Sequence, residues 1–390
     1  MVILCLATLI ILLFLFVEYI RHKKCVYSIP IRIHVNGTRG KSSVTRLIAA
    51  GLRNGGIRTV AKTTGTLPRL IMPDGKESAI IRLANANIIE QKYIFRHAQT
   101  MDLRAIVVEC MAVNPFYQWI TDRMLVKATI SVITNVRLDH VDVMGDHLES
   151  IALCLSNTIP EKGVCFTAEK QMYPVLENIA HKRNCRIKQV VPFDITEEEM
   201  NAFSYIEHQD NVQLALSVCE YCGIPRAIAL QGMQKANPDP GALKRYLIID
   251  QKKKIFFYNV FASNDPDSTA FIYHLITAKL STNVLKIIIL NNRADRFFRS
   301  KQLVDMCQSL SLDFLLLTGE IVEKVANYAE NKLDHSKIIT LGEILPELIY
   351  NKIRELTHHE VHVFGIGNIA GEKKYGARIV KEFKQRSLDN

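Results

Sequence analysis

The chain has 390 residues, 48% apolar and 23% charged; this excludes an intrinsically disordered protein and leaves room for two or three domains with their own cores. Lys and Arg number 49 against 39 Asp and Glu, a net charge of +10 that suits a polyanionic substrate, an anionic membrane face or nucleic acid. The basic residues are dispersed and no nucleic-acid-binding motif is present, so nucleic acid is set aside, and nine cysteines without framework spacing exclude a disulfide scaffold.

Residues 2–17 hold no charged or strongly polar side chain, and Glu18-Tyr19-Ile20 follows. At 1.5 Å per residue such a helix just spans a hydrocarbon core of about 30 Å. The basic run Arg21-His22-Lys23-Lys24 comes next, and the positive-inside rule then places the rest of the chain in the cytoplasm. No small-x-small cleavage pattern precedes residue 31. The expectation is an uncleaved, single-pass anchor over 1–24 at the cell membrane.

Beyond it, short apolar runs alternate with amphipathic stretches. Strands are expected at 31–35, 105–110 and 128–134, with helices at 41–54, closed by Gly55-Gly56, and at 148–158 before Pro160. Cys110, Cys154 and Cys165 lie inside apolar runs and read as reduced core residues, while Cys219-x-x-Cys222 has no second pair and reads as a helix face. A Pro/Gly-rich break, Asn237-Pro-Asp-Pro-Gly241, precedes a restart. Strands follow at 254–259, 284–290, 314–318 and 361–364, with helices near 267–280, 300–310, 320–331, 345–357 and 372–386. Val/Ile runs separated by helices indicate parallel sheets covered on both faces. The expected organisation is α/β: a transmembrane helix, a phosphate-loop domain over 25–240, and a Rossmann-like unit over 241–390.

In open α/β sheets, ligands sit beyond the carboxyl ends of the strands. The strand at 31–35 breaks into Gly37-Thr-Arg-Gly-Lys-Ser42-Ser43, the order a phosphate cradle needs. Gly37 and Gly40 permit tight turns that aim backbone N–H groups inward, among them those of Thr38 and Arg39. Lys41 can reach terminal phosphates, and Ser42 or Ser43 can hold Mg²⁺ at a helix N-terminus. Only two residues separate the glycines, against four in the usual Walker loop. Glu109, closing a neighbouring strand, suits a magnesium ligand. Asp139, His140 and Asp142 cluster in Thr134-Asn-Val-Arg-Leu-Asp-His-Val-Asp.

These segments resemble the Mur ligase superfamily, which includes the peptidoglycan amino-acid ligases and folylpolyglutamate synthase. The resemblance implies that ATP and Mg²⁺ are bound, with Lys41 on the β/γ phosphates, Ser42 and Glu109 on one Mg²⁺ and His140 on a second. It also implies that Asn211, in His208-Gln-Asp-Asn-Val-Gln-Leu-Ala215, contacts adenine. The large uridine-nucleotide domain of the peptidoglycan ligases has no counterpart before the loop. The position of the carbamylated Lys of folylpolyglutamate synthase is Leu155, with Asp142 a candidate replacement. The ribose-contacting Asp falls in Asn259-Val-Phe-Ala-Ser-Asn-Asp-Pro266, where Asn259 is the candidate. In combining an anchor with the short loop, the chain is similar to one branch, the poly-γ-glutamate synthase ligase subunits. It shares their Thr63–Thr66, Asn135–His140, Ser156–Pro160, Asn264–Ser268, Asn292–Arg296 and Gly365–Asn368 segments.

That resemblance implies a glutamate γ-carboxylate activated as an acyl phosphate by ATP and attacked by the amine of the next glutamate, lengthening a poly-γ-glutamate chain. Arg293 and Arg296, just past a strand, are candidate clamps for glutamate carboxylates, and Asp295 is a candidate for orienting the amine. The implied partners are other membrane subunits that export the polymer; an oligomer is compatible with the sequence. The competing readings are another Mur-type ligase, a membrane-anchored phosphate-loop kinase or ATPase, and a non-catalytic scaffold of a membrane complex.

Overall fold

In the computed structural model the chain divides into two compact units, Met1–Asp239 and Pro240–Asn390. The structure describes residues 2–65, 68–82, 86–190, 195–203, 205, 207–238, 244–261, 266–278, 280–281, 284–369 and 374–388. Thr66, the end of the Pro/Gly break at 239–241, and residues 262–265 of the Asn259–Pro266 motif lie outside them.

The first unit is built on β1 (Ile31–Asn36), β2 (Thr59–Lys62), β3 (Arg69–Ile71), β4 (Glu77–Ala79), β5 (Ala105–Glu109), β6 (Ile130–Ile133), β7 (Val164–Thr167) and β8 (Arg186–Gln189). Among the described residues these form one sheet in the order β4-β3-β2-β5-β1-β6-β7-β8. From β2 to β8 every pairing in that order is parallel, as expected. The expectation of a wholly parallel sheet fails at one edge, where β3 runs antiparallel to both β2 and β4. The cause is local. Pro73-Asp74-Gly75 makes a tight turn, with Gly75 at φ 85° and Met72 N–H donating to Lys76 O at 2.8 Å, so the chain doubles back without a crossover helix.

The helix Lys41–Asn54 covers one face of this sheet, burying Val44, Leu47, Ile48 and Leu52 against Ile33, Val35 and Val107. Each fully buried aliphatic side chain contributes about 1.5–3 kcal/mol. The opposite face packs Val60, Ile106 and Val108 against Ile94 and Phe95 of the helix Glu90–Gln99. Strand β1 is buried on both faces although its second face is polar. Arg32 donates to Ile29 O and Lys127 O, His34 pairs with Asp122 at 3.1 Å, and Asn36 donates to Gln118 Oε1 at 2.9 Å.

The N-terminal helix runs from Val2 to Tyr27. It is long and apolar enough to cross a membrane: mean hydropathy peaks at 2.7 over an 18-residue window, none of which is buried. It also runs past the expected end at residue 24, because its last turn belongs to the soluble core. Cys25 and Val26 pack with Ile94 and Phe95, His22 hydrogen-bonds Leu125 O at 2.9 Å, and Glu18 is paired to Lys92 and Arg96 at 2.7 and 2.9 Å.

The second unit carries β9 (Lys244–Asp250), β10 (Lys253–Asn259), β11 (Leu285–Asn292), β12 (Phe314–Gly319), β13 (Ile338–Gly342) and β14 (Glu360–Gly367), in the order β13-β12-β11-β14-β10-β9. Only β9 is antiparallel among them, joined to β10 by a tight turn at Gln251, φ 58°. Strand β11 runs to Asn292 instead of ending at 290, because Asn291 and Asn292 spend their amides on the Asn368, Leu290 and Thr318 carbonyls and stay buried in the sheet. Helices cover both faces, with Leu303, Val304 and Val325 on one side and Ile349, Ile353, Ile379 and Phe383 on the other.

Leu47 is fully buried in the largest cluster of the first unit. Leu47→Ala should cost about 2–5 kcal/mol, read as a lower urea midpoint for the full-length protein. An unchanged midpoint would contradict that packing.

Candidate active site

The site is assembled where β1, β5 and β6 end side by side. As β1 leaves the sheet, Gly37 takes φ 128° and Gly40 φ 77°, both left-handed. Neither position has room for a side chain. A Cβ on Gly37 would stand 2.0 Å from Thr134 Oγ1, and one on Gly40 would stand 2.6 Å from Asn211 Oδ1. The loop is therefore wedged between the end of β6 and the helix Gln209–Tyr221, which brings the predicted Asn211 directly against it. The Asn211 amide also donates to Glu207 Oε1 at 2.8 Å.

The loop is tied to the segment after β6 by a set of reciprocal bonds. Thr38 N–H donates to Asn135 O at 3.0 Å, and Arg39 N–H to Asn135 Oδ1 at 3.0 Å. Thr134 Oγ1 and Asn135 Nδ2 both donate to Arg39 O, at 2.5 and 3.2 Å. Arg137 N–H reaches Thr38 Oγ1 at 3.0 Å, and the Arg39 guanidinium pairs with Asp139 at 3.2 Å. Asp139 in turn accepts His140 N–H at 3.1 Å and lies 3.9 Å from its imidazole. His140 itself sits at φ 46° and starts the short helix Val141–Met144, on which Asp142 is exposed.

The helix Lys41–Asn54 begins at Gly40 without a side-chain cap, which leaves its first backbone N–H groups for a ligand. Ser43 lies half-buried in that first turn. Lys41 curls back so that Nζ donates to Gly37 O at 2.7 Å and Thr38 O at 3.1 Å. Burial pushes its pKa below the ordinary lysine value, opposed by the charge of Glu109. A phosphate displacing those carbonyls would restore the balance. On β5, Glu109 is 3% exposed, and Oε2 accepts both Ser42 Oγ at 2.9 Å and Thr64 N–H at 2.6 Å. Its Oε1 has no hydrogen bond among the described residues. A hard oxygen donor beside a serine hydroxyl and a phosphate loop is a set that fits Mg²⁺, which takes one or two protein oxygens and completes its shell with phosphate and water. No cluster of three or more His, Cys, Asp or Glu side chains capable of holding a metal occurs among the described residues.

Leu155 is fully buried among Ile133, Val136, Ile151 and Ile159, so this position is apolar core and carries no charge toward the site. Three residues were missed in the sequence. Glu169, just after β7, is 2% exposed and accepts Val136 N–H at 2.7 Å and Arg137 Nη1 at 3.2 Å, buttressing the segment that locks the loop. A carboxylate past a strand end was the available signal. Behind Glu109, His34 and Asp122 form a buried pair that spacing alone does not suggest, because 88 residues separate them. Burial opposes a charged His34, yet Asp122 and the Cys110 sulfur outweigh it and push His34 up to about 9.

In the second unit, Arg293 and Arg296 flank Asp295 as expected, but the acid holds them: Arg293 Nη2 is 2.8 Å and Arg296 Nε 3.8 Å from Asp295 Oδ2. Asn259 ends β10, 3% exposed, with Oδ1 lacking a hydrogen-bond partner among the described residues.

Gly37→Ala should weaken nucleotide binding by at least about tenfold while leaving the circular dichroism spectrum intact, since the added Cβ must displace Thr134. The His34 pair carries a pH signature. A pKa raised from 6.5 to about 9 gives stability that is complete below about 6.5 and is lost as pH rises through about 9. Thermal melts should therefore show the wild type declining across that window, and His34→Gln should flatten the decline.

Comparisons with known proteins identify the family and the fold. The Mur ligase middle domain model matches residues 35–237, and the model of the poly-gamma-glutamate synthase CapB C-terminal domain matches 245–386. The chain is 36% identical over 386 residues to the PGA synthase CapB of Bacillus subtilis, covering 98% of each chain. It is 35% identical over 354 residues to the capsule biosynthesis protein CapB of Bacillus anthracis, covering 90% of this chain and 76% of that one. Its fold matches that of E. coli FolC in complex with DHPP and ADP, with a TM-score of 0.69 at 14% identity, covering 95% and 93%. With the phosphate loop, Glu109 and the Thr134–His140 segment inside the first match, and the second unit inside the other, the chain belongs to the Mur ligase family, in its poly-γ-glutamate synthase CapB branch.

Proposed function

We propose that this chain is an ATP-dependent amide ligase that joins glutamate units through γ-linkages, and that residues 37–43, Glu109, His140 and Asn211 form its nucleotide site. The observation that carries the reading is the joining of Ser42 to Glu109 at 2.9 Å beneath a loop whose lysine, among the described residues, hydrogen-bonds only backbone carbonyls. An amide does not form from a free carboxylate in water; the acid must first gain a leaving group. The γ-phosphoryl of ATP supplies one, the amine of the next glutamate attacks the acyl phosphate, and phosphate leaves. In such transfers the protein mostly positions groups and neutralises charge.

Backbone N–H groups of Gly40 to Ser43 cradle the phosphates, those of Thr38 and Arg39 being spent on Asn135 instead of on the ligand as the sequence suggested. Lys41 moves from Gly37 O and Thr38 O to the β/γ oxygens, and Asn211 meets the adenine. Ser42 and Glu109 would hold one Mg²⁺ and His140 a second, and the ions would neutralise charge on the transferring phosphoryl group. In the second unit, Arg293 and Arg296 exchange Asp295 for a substrate carboxylate, and the freed Asp295 orients the amine. The helix Val2–Tyr27 anchors the enzyme in the cell membrane with both units on the cytoplasmic side, next to other membrane subunits that export the polymer.

The test incubates the membrane-embedded protein and its partners with ATP, Mg²⁺ and labelled glutamate. Glutamate-dependent ADP release with γ-linked polymer is expected, and Lys41→Ala should lower it by at least about a hundredfold. Polymer yield untouched by Lys41→Ala, in a variant that retains its fold, would sink the ligase reading in favour of a scaffold.

A further inference from the structure

A cavity of about 310 Å³ opens at the far half of the helix Lys41–Asn54. Its walls come from that helix, the β3–β4 hairpin and the end of the helix Arg226–Gln234, all inside the first unit. Arg53 lies 12 residues beyond Lys41, about 18 Å along the helix axis, so a group held there is not a phosphate of the nucleotide in the loop.

The cavity presents Arg46, Arg53 and Lys235 against Asp74 and Glu77. Glu77 is consumed by Arg46, whose two terminal nitrogens grip it at 2.6 and 3.0 Å, and Asp74 by Lys76 at 3.3 Å. Arg53 and Lys235 form no ion pair among the described residues, and Glu77 and Asp74 act on Arg53 through their charge alone. Two guanidinium nitrogens, Arg46 Nε and Arg53 Nη1, are buried and have no hydrogen-bond partner among the described residues. Arg46 is only 2% exposed, so its orphan N–H is shut off from bulk water. Buried donors of a charged group are rarely left unpaired, and in the cavity lining three cations, Arg46, Arg53 and Lys235, stand against two acids, Asp74 and Glu77, so the charge the cavity lacks is that of an oxyanion. Ala50, Ile71 and Pro73 add apolar surface to the same wall, along with the amides of Asn54 and Asn237.

Methylenes flanked by carboxylates are what this mixture of cations and apolar surface accepts. We propose that the cavity is a product-chain site, in which Arg53 and Lys235 bind successive α-carboxylates of a γ-linked glutamyl chain while its methylenes lie on Ala50, Ile71 and Pro73. The choice of ligand rests on the γ-glutamyl ligase reading given above; the oxyanion chemistry does not. A chain held about 18 Å from the phosphate loop stays on the enzyme between additions, so the site sets polymer length and leaves the first coupling alone.

The experiment uses the full-length protein in detergent micelles and a dye-labelled γ-linked glutamate decamer, read by fluorescence anisotropy with ADP saturating. Arg53→Gln and Arg53→Gln/Lys235→Gln should weaken decamer binding by at least about tenfold and Arg53→Lys should restore most of it. The same Gln variants should make shorter polymer while releasing ADP at the wild-type rate with free glutamate. Decamer affinity unchanged in both Gln variants would overturn the site. Inorganic phosphate is the competing source of the same chemistry. If phosphate occupies the cavity more tightly than the decamer and the Gln variants lose phosphate but not decamer, the carboxylate assignment is overturned. A wild-type enzyme that binds the decamer through Arg53 yet makes no γ-linked polymer would break the ligase reading and leave the site standing.

Discussion

Everything in the nucleotide site depends on how closely the ends of β1 and β6 approach. A Cβ on Gly37 would lie 2.0 Å from Thr134 Oγ1, so only glycine lets the loop leave the sheet along this path. Once it does, Thr134 and Asn135 can donate to Arg39 O while Asn135 accepts from Thr38 and Arg39, and the loop has a single shape before any ligand arrives. Pre-organisation of this kind lowers the entropy cost of cradling phosphate. The same path delivers Ser42 to Glu109 on the neighbouring strand, and the Arg39–Asp139 pair carries its position outward to His140.

The unit around the loop buries several charged side chains, and many of them are paired. His34 is matched by Asp122, and Arg46 by Glu77. Lys62, fully buried, meets Glu90 at 3.1 Å, and Arg82 shares that carboxylate. Glu169 meets Arg137. Buried pairs add little net stability, because desolvation consumes most of the Coulombic gain, but removing one partner is expensive. Their consequence here is geometric. Several of them lie at or beside the carboxyl ends of the strands and hold the strand-end loops in one arrangement, while the aliphatic clusters on the two sheet faces supply the stability.

The N-terminal helix joins these two themes. Its first turns are fully exposed and apolar, and its last turn is part of the domain core. Because Glu18, His22, Cys25 and Val26 are all engaged by the first unit, the apolar segment leaves that unit in a set direction instead of on a flexible tether. In the membrane-anchored reading proposed above, a unit held this way presents a constant face to the bilayer.

Much of this was legible in the sequence. The Val/Ile runs of β1, β5, β6, β11, β12 and β14 and the glycine loop with its Lys-Ser follow from local chemistry: β-branched residues favour strands, and only glycine tolerates the turns. The spacing of the loop and the Asp-His segment identified the family. What the sequence hid depends on distance. The β3–β4 hairpin carried a Pro-Asp-Gly signal but was too short to read as strands, and Asn291 and Asn292 read as loop because their buried partners come from other elements. The pairing of His34 with Asp122, the buttress of Glu169 and the clasp of Asp295 on its two arginines are likewise products of the fold. So is the cavity of Arg46, Arg53 and Lys235, whose walls are brought together from three parts of the chain. Backbone conformation and burial preference are set residue by residue, and the sequence by itself determined them. Which charges meet, and which donors stay unpaired, is set by contacts between distant segments, and only the tertiary structure decided it.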